Sequence, residues 1–257
     1  MKFKVILLQL IGIVLLSSGC FAPRFNPPGE LLASGEGATV CGDLVKRSRT
    51  VNSLSALVEA TVSRSGEAAS LRYVVLSRSP DRLRIDMLPI EGALTLGILT
   101  AREGRAVLLD AQERSYSIAS HEQELLESFF GLKGITREVI IGLLSGVLPQ
   151  TDCSSVQVYR STEKSVALLD TRSHVVWDVD KESLKVLGCT ILDSDESRIQ
   201  ISGERLDGQT NGRTAVMLQI YKPLEAQVKM LVGKMAINPA LADERFDVAI
   251  PPSYRER

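Results

Sequence analysis

The sequence is poor in histidine and aromatic residues, and it lacks the residue spacings that most catalytic and cofactor sites require. Only two of its 257 residues are histidine, and 5% are aromatic. His121 and Glu122 begin an H-E-x-x-H pattern, but Leu125 stands where the second zinc ligand would be. The C-x-x-C, G-x-S-x-G and glycine-rich phosphate-loop patterns are absent as well. We therefore predict that the chain is not an enzyme and binds neither a cofactor nor a metal.

The chain also lacks an excess of basic residues. It carries 30 Lys and Arg against 31 Asp and Glu, for a formal net charge of -1 at pH 7. Nucleic-acid binding depends on basic side chains that neutralise phosphates, and single-strand binding also uses aromatic platforms. We predict that nucleic acid is not a partner.

The first twenty residues are arranged as an export signal. Two lysines precede an apolar run at residues 5–16, and small residues then lead to Cys20. We predict a signal peptide at residues 1–19 that is cleaved before Cys20. The alternatives are a cleaved secretory signal with an unmodified cysteine and an uncleaved anchor, although the apolar run is short for a bilayer span.

The cysteine after these small residues resembles the lipobox of bacterial lipoproteins. In those sequences the cysteine is acylated, for example with palmitate, and becomes the first residue of the mature protein. The resemblance implies a lipid anchor at Cys20. Phe21 follows it where a signal for inner-membrane retention commonly has Asp, so the resemblance favours the outer membrane, facing the periplasm.

The segment after the cysteine differs in composition from the rest of the chain. Residues 20–39 are rich in proline and glycine and show little periodicity. This composition is typical of a flexible tether, which we place between the lipidated cysteine and a folded domain. Residues 40–257 suit one β-rich domain, and no internal repeat divides them. We therefore predict a single domain.

Three further cysteines, Cys41, Cys153 and Cys189, lie in the predicted domain. An exported protein meets an oxidising compartment, so one disulfide is expected and one thiol is left over. A bridge between Cys153 and Cys189 would stabilise the fold by roughly 3 to 4 kcal/mol in the loop-entropy model. The sequence does not select the pair, and three buried free thiols are the alternative.

Most of the predicted domain alternates between apolar and polar residues, which is the pattern of half-buried antiparallel strands. Leu83 and Ile85 share one such face, and the next face combines Leu94, Leu96 and Ile98. Similar short segments, separated by turn residues, continue to the end of the chain without βαβ alternation. This spacing predicts a sandwich or a barrel.

The spacing of apolar residues changes from that of a strand to that of a helix within residues 121–148, where the sequence predicts two short apolar helices. The first places Phe129 and Phe130 in an apolar stripe and is broken at Gly131 and Gly134. The second is apolar along nearly its whole length and is too short to cross a bilayer. These helices must either plug the core of a β-domain or close over an apolar ligand.

The order of these segments resembles the LolA/LolB family of periplasmic lipoprotein carriers and receptors. The local similarities are the turn at residues 79–84, the loop at residues 88–92, the apolar helical pair, and the Phe and Pro pattern at residues 246–252. The resemblance implies an α+β fold, mainly β, in which a curved, incomplete antiparallel β-barrel is covered by short apolar lid helices. It also implies an apolar cavity for acyl chains and a membrane-touching loop that contains Leu88 and Ile90.

We expect the cavity to be lined by the apolar faces of two strands and of both lid helices. The candidate residues on these faces are Leu83, Ile85, Leu94, Leu96, Ile98, Phe129, Phe130, Val139, Ile140 and Leu143. In the alternative, these side chains fill one another's space and the domain has a dry core. A register error of one residue would exchange the inner and outer faces of a strand.

The resemblance implies an outer-membrane lipoprotein that receives acylated proteins from a soluble periplasmic carrier and inserts them into the membrane. Its ligands would be the acyl chains of lipoproteins or of lipids. A structural or interaction lipoprotein with the same fold and a filled interior is the alternative from a different functional class. A carrier of some other lipid would differ only in its ligand, on which the sequence is silent.

Overall fold

The computed structural model describes residues 29–64, 67–91, 94–149, 152–192, 198–206, 215–221 and 226–257. The predicted signal peptide, Cys20 and the first part of the predicted tether lie outside the described residues. In the described ranges the chain forms three α-helices: α1 (Ser34–Ser48), α2 (Glu122–Phe130) and α3 (Arg137–Ser145). Two short 3-10 turns, Cys153–Ser155 and Asp243–Phe246, also occur there.

Fifteen strands complete the described part of the chain. They are β1 (Glu30–Leu31), β2 (Ser53–Arg64), β3 (Glu67–Arg78), β4 (Arg82–Pro89), β5 (Gly97–Arg102), β6 (Arg105–Asp110), β7 (Ser115–Ala119), β8 (Val156–Arg160), β9 (Ser165–Asp170), β10 (Val175–Asp180), β11 (Val186–Leu192), β12 (Arg198–Leu206), β13 (Ala215–Tyr221), β14 (Ala226–Ile237) and β15 (Arg255–Glu256).

The described strands form one sheet in the order β1-β8-β9-β10-β11-β12-β13-β14-β2-β3-β4-β5-β6-β7-β15. Neighbouring strands are antiparallel, apart from the parallel pair of β15 and β7. The main hydrophobic core combines residues of all three helices with residues of β2 to β6 and of β8 to β11. The sheet therefore curves around the helices, and in the described chain its end strands, β1 and β15, do not pair with each other. This architecture confirms the predicted fold class, a curved, incomplete antiparallel barrel covered by helices.

The strand register divides the inward face of β2 to β5 into rungs, each made of one residue per strand. Alternate residues point inward because side chains change face at every step along a strand. The first rung is Leu54, Ser77, Leu83 and Ala101; the second is Ala56, Val75, Ile85 and Leu99; the third is Val58, Tyr73, Met87 and Gly97. The rungs follow one another at intervals of about 7 Å along the strands.

The two lid helices, α2 and α3, are delimited by glycine and by a capping side chain. Gly131 ends α2 and Gly146 ends α3, both with positive φ (61° and 66°), which glycine adopts at little cost. Thr136 caps the N-terminus of α3, and its hydroxyl accepts a hydrogen bond of 3.3 Å from the Val139 N–H. Gly142 allows α3 to pack closely, since a Cβ at this residue would lie 2.8 Å from the Trp177 ring.

The first helix begins inside the segment that was predicted to be a tether. α1 starts at Ser34, whereas the sequence indicated a flexible chain up to residue 39. Cys41 and Leu44 of this helix are buried in the domain. Tertiary burial thus outweighs the low helix propensity of the two glycines in its first turn.

The structure has the expected single disulfide with one thiol left over, but the possible bridge between Cys153 and Cys189 is not the one that forms. The structure joins Cys41 of α1 to Cys153 in the 3-10 turn before β8, with a Cα–Cα distance of 5.9 Å. Cys189 is free and buried in β11. Because β9 and β10 lie between β8 and β11 in the sheet, these two strands are about 14 Å apart, which is too far for a disulfide.

Residues 239–257, which we call the C-terminal strap, follow the outer face of the sheet. Phe246 is buried there in a small cluster with Leu76 and Leu241. Arg78 forms an ion pair with Asp243, and Arg102 Nη1 lies 2.8 Å from Asp247 Oδ1. The strap therefore fastens the outer side of β3 to β5, whose inner side carries the rungs.

None of the helices in the described ranges is both long enough and apolar enough to span a membrane.

Candidate functional site

An apolar cavity lies between the lid helices and the inner face of β2 and β3. Its volume is about 50 Å³. The lining residues come from the second and third rungs, from β14 and from the lid: Val58, Tyr73, Val75, Phe130, Leu132, Ile135, Ile140, Leu143, Leu144 and Met230. The Tyr73 hydroxyl is the one polar side-chain group among these residues. Such a cavity suits hydrocarbon and offers almost nothing to a polar ligand.

Three aromatic rings cluster at one side of this apolar cavity, and two of them, Tyr73 and Phe130, line it. The Phe130 ring centroid lies 5.6 Å from that of Tyr73 and 5.1 Å from that of Phe129. Gly97 of the third rung lies against this cluster, since a Cβ there would be at ordinary contact distance, 3.5 Å, from the Phe129 ring. Burial raises the pKa of Tyr73, which keeps its hydroxyl neutral.

A second cavity, which we call the mouth, lies next to the first rung. Its volume is about 410 Å³. It is lined by the end of α1, the segment leading into β2, the end of β3, the outer side of α3 and the segment that follows α3: Ser48, Arg49, Val51, Asn52, Ser53, Leu54, Ser77, Ser79, Pro80, Arg137, Glu138, Ile141, Ser145, Val147, Leu148 and Pro149. The mouth thus combines charged and hydroxyl groups with an apolar floor.

Seven of the ten predicted cavity residues belong to the core or to the cavity wall. Phe130, Ile140 and Leu143 line the apolar cavity. Phe129 packs in the aromatic cluster, while Val139, Leu83 and Ile85 are buried in the core and do not line the cavity.

The predicted inward face of β5 is wrong by one residue. The strand begins at Gly97, and its inward residues include Leu99 rather than Leu96 and Ile98. Leu94 precedes the strand and is 82% exposed. The Leu96 N–H donates a 2.7 Å hydrogen bond to the Met87 carbonyl, which sets this register. Leu94, Leu96 and Ile98 therefore do not line the cavity.

Several lining residues were missed by the sequence analysis. The sequence shows the alternation of apolar and polar residues in the segments that contain Val58, Tyr73 and Val75. This alternation identifies strands, but it does not tell which strands face the lid helices. Met230 reaches the cavity because β14 pairs with β2, with Met230 opposite Ala60. No local pattern predicts that pairing, since the two strands lie far apart in the sequence.

The loop after β4 presents apolar side chains to solvent. Ile90 is 37% exposed, whereas Leu88, which was predicted to lie in this loop, is half-buried within β4. Leu94, which the sequence analysis placed in the cavity, is on this loop and is more exposed than any other large apolar side chain in the described ranges. The loop follows the third rung, so it lies at the opposite end of the strands from the mouth.

An ion pair joins the first residues of the two lid helices. Arg137 Nε lies 3.4 Å from Glu122 Oε1, and both side chains are largely buried. Burial raises the pKa of Glu122, while the nearby Arg137 opposes this rise. The cost of burying the carboxylate therefore exceeds the gain from its attraction to the arginine.

We expect the Glu122→Gln variant to be more stable than the parent at neutral pH. A raised pKa in the folded state means that folding favours the protonated carboxyl, so stability falls as the pH rises through this pKa. Below the ordinary value of 4.5 the carboxyl is protonated in both states, and the difference between variant and parent should disappear. Urea unfolding from pH 4 to pH 8 measures this difference. The exposed Glu124→Gln on the same helix should leave the transition unchanged, and a Glu122→Gln variant that is less stable at pH 8 would contradict the argument.

No group of three or more His, Cys, Asp or Glu side chains that could hold a metal occurs in the described part of the chain.

Similarity to known proteins is found in solved structures, while no family model and no curated protein sequence matches the chain. A DUF1329 family protein from Desulfovibrio piger has a TM-score of 0.56 at 13% identity, over 86% of this chain and 98% of that chain. A domain assigned to outer membrane lipoprotein sorting, from Vibrio parahaemolyticus, has a TM-score of 0.52 at 8% identity, over 84% and 97%. A LolA superfamily protein from Nitrosomonas europaea has a TM-score of 0.50 at 10% identity, over 80% and 97%. These similarities confirm that the chain has the fold predicted from its resemblance to the LolA/LolB family.

Proposed function

We propose that this chain, which has a LolA-like fold, is a lipoprotein that binds acyl chains beneath its lid helices. The observation that carries the proposal is the apolar cavity formed by Tyr73, Phe130 and the inner side of α3. The protein would be anchored in the outer membrane through lipid on Cys20 and would face the periplasm. There it would receive lipoproteins from a soluble carrier and insert them into the membrane.

Transfer of an acyl chain between a protein cavity and a membrane needs no acid, base or metal. Each methylene removed from water contributes about 0.8 kcal/mol, and a membrane offers the same gain. Binding is therefore favourable and still reversible, so we propose a carrier or receptor rather than an enzyme. The cavity of about 50 Å³ has to widen to hold a long chain. The break between the lid helices at Gly131 and Gly134, both with positive φ, is where the lid can bend.

The loop after β4 is the proposed contact with the membrane. Leu88 and Ile90 were assigned to it by resemblance, and the exposed Leu94 extends the same apolar tip. Apolar side chains on a loop gain free energy by entering the acyl boundary of a bilayer. Among the residues initially assigned to the cavity, Leu94 is therefore reassigned to this loop.

A second candidate function is supported by the small volume of the apolar cavity. About 50 Å³ is far less than the 300–1,000 Å³ typical of small-molecule sites. A structural or interaction lipoprotein would keep this fold with a filled interior and would bind an envelope protein without transferring lipid. The two functions differ in whether the folded protein takes up an acyl chain.

We expect the chain carrying Cys20→Ala to bind a dipalmitoylated lipopeptide. Adding Phe130→Glu should weaken this binding at least about tenfold, because placing a carboxylate beside the hydrocarbon chain costs free energy. Phe130→Ala enlarges the cavity and should retain binding. Leu187→Glu, an equally drastic change at an exposed position on β11, should have no effect. Native mass spectrometry and equilibrium dialysis measure the bound lipopeptide.

The matched variants separate a damaged cavity from a damaged fold. If Phe130→Glu unfolds the domain, Phe130→Ala still tests whether the cavity takes a chain. A folded parent that takes up no lipopeptide, with Phe130→Ala equally inactive, would refute acyl binding and would support the interaction lipoprotein instead.

A further inference from the structure

We propose that residues 21–28 fold back across the outer face of β8 to β10, where Arg24 pairs with Asp178 and Phe25 lies on an apolar cluster. The structure describes the chain from the residue before β1. Residues 21–28 therefore connect the predicted lipid anchor at Cys20 to the domain. This inference does not rest on acyl binding beneath the lid; it assigns a docking surface to the segment next to the anchor.

The outer face of β8 to β11 carries an apolar cluster that is separate from the main core. We call it the outer cluster; it consists of Tyr159, Ala167 and Val176, with Leu169 and Leu192 packed at its margin. The neighbouring helices lie on the inner side of these strands, where Gly37 of α1 packs against Val158. Gly142 of α3 packs in the same way against Trp177. Neither of these helices covers the outer cluster.

A shallow trough crosses the outer face at Asp178. The strand register places four residues side by side in one row across β8 to β11: Tyr159, Ala167, Asp178 and Gly188. Ala167 and Gly188 carry little or no side chain, so they leave space on both sides of the Asp178 carboxylate. Leu31 of β1 extends the row beside Tyr159 and is 56% exposed. A side chain from another segment can thus reach the carboxylate across an apolar surface.

Asp178 has no cationic partner in the described chain. Its side chain is half-buried, and its carboxylate forms no ion pair or hydrogen bond with any residue that the structure describes. Burial raises the pKa of Asp178, and no described cation opposes this rise. Burying an unpaired carboxylate costs free energy, whereas a charge-assisted hydrogen bond to a guanidinium offsets that cost. The outer face therefore favours a segment that brings one arginine onto an apolar surface.

The start of the described chain fixes the distance that residues 21–28 must cross. A Cβ at Gly29 would overlap the Arg160 carbonyl oxygen, so the chain starts close against the end of β8. β1 and β10 are separated by β8 and β9, so three strand spacings, about 14 Å, lie between them. Leu31 is in the same row as Asp178, and Gly29 lies two residues, about 7 Å, further along β1. The distance from Gly29 to Asp178 is therefore about 16 Å.

The length and composition of the segment match this distance. Arg24 is the only basic residue in the segment and precedes Gly29 by five positions. Five residues span about 15–18 Å in an extended chain. Pro27 and Pro28 favour such a chain, because proline restricts its own φ and disfavours the helical region for the residue before it. Arg24 is thus at the right distance to reach Asp178 from β1.

Phe25 supplies the apolar part of the contact. In an extended chain of the polyproline type, successive side chains point about 120° apart, so neighbouring residues can both touch one surface. Phe25 would pack on the outer cluster, while the aliphatic stem of Arg24 crosses the same surface and its guanidinium reaches Asp178. Docking would leave only residues 20–23 free between the domain and the membrane.

The test measures the rate of disulfide formation in the full chain carrying Cys20→Ala. Asn26 is three residues before Gly29, which places it over β9 in the docked segment, so Asn26→Cys should bond to Leu169→Cys on β9. The matched control replaces Leu169→Cys by Leu231→Cys, which is exposed on β14, far from β1 in the sheet. The bond to Leu169→Cys should form at least about tenfold faster than the bond to Leu231→Cys, because docking raises the local concentration of the two thiols.

Reversing the charges tests the ion pair in the same assay. Adding Arg24→Glu should slow the bond to Leu169→Cys at least about fivefold. Asp178→Asn removes the negative charge at nearly constant shape and should slow the bond to a similar extent. Combining Arg24→Glu with Asp178→Arg should restore the rate to within about twofold of the parent pair. Mass spectrometry after tryptic digestion identifies the bonded peptides.

Equal rates with Leu169→Cys and Leu231→Cys would overturn the docking of residues 21–28. A rate that neither Arg24→Glu nor Asp178→Asn changes would overturn the pairing of Arg24 with Asp178. Rapid bonding of Leu169→Cys between two chains, with slow bonding to Asn26→Cys, would instead assign the outer face to a second copy of the chain. None of the substituted residues lines the apolar cavity, so lipopeptide binding should be unchanged and the proposed function is tested separately.

Discussion

Replacing Cys41 and Cys153 together by alanine should lower the free energy of unfolding by about 2–5 kcal/mol. The bridge joins residues 112 positions apart, so it removes a large share of the freedom of the unfolded chain. A loss of this size is comparable with the whole stability of many domains. We expect the double variant to be partly unfolded at 37 °C, as judged by circular dichroism and urea unfolding.

The bridge also fixes the one helix that the tether leads into. Without it, α1 is held by buried side chains such as Leu44 and by its contact with β8. The end of α1 lines the mouth, through Ser48 and Arg49. Fraying of this helix should therefore disturb the mouth before it affects the apolar cavity.

Two comparisons isolate the effect of the bridge. Cys189→Ala changes the buried free thiol and leaves the disulfide in place, so its cost should be that of a small core truncation, about 1 kcal/mol. The parent in dithiothreitol should resemble the double variant. Equal stability of the oxidised parent and the double variant would refute the assigned role of the Cys41–Cys153 bridge.

The parts of the fold that were predicted correctly are those encoded locally. The change from alternating residues to an apolar helical stripe at residues 121–148 corresponds to α2 and α3, and Gly131 ends the first of them. The alternation of Leu83 and Ile85 with polar neighbours corresponds to a strand with one buried face. Local periodicity and turn residues carry this information without knowledge of tertiary contacts.

The errors concern choices that depend on distant residues. The segment before β5 contains two overlapping alternations, and the hydrogen bond from Leu96 to Met87 decides between them. The partner of Cys153 is decided by the packing of α1 against β8, some hundred residues away in the sequence. A single sequence does not encode such pairings in a form that periodicity can reveal.

The cavity itself was the least predictable feature. Its walls come from β2, β3, β14 and both lid helices, and they meet only because β14 pairs with β2. The mouth was not predicted at all, since Arg49, Ser77 and Arg137 belong to segments with no common pattern.

Replacing Phe246 by alanine should lower the free energy of unfolding by about 3–5 kcal/mol, the usual cost of removing a fully buried aromatic side chain. Phe246 is 1% exposed and packs with Leu76 and Leu241, and the Arg78 guanidinium lies 5.6 Å from its ring centroid. The substitution leaves a void beneath the C-terminal strap. It also removes the largest apolar contact between the strap and β3, and leaves Leu241, hydrogen bonds from Arg78 and Arg84 to strap carbonyls, and surface ion pairs of small net value.

Arg245→Ala is the matched control, because its side chain is exposed at the neighbouring position of the same 3-10 turn. Its cost should stay within about 0.5 kcal/mol. Urea unfolding measures both variants, and limited proteolysis should cut the strap of Phe246→Ala first. Leu76 lies on the outer face of β3 next to Val75, which lines the apolar cavity, so loosening the strap should also weaken acyl binding. A Phe246→Ala variant as stable as Arg245→Ala would mean that the strap's other contacts hold it to the sheet without the aromatic side chain.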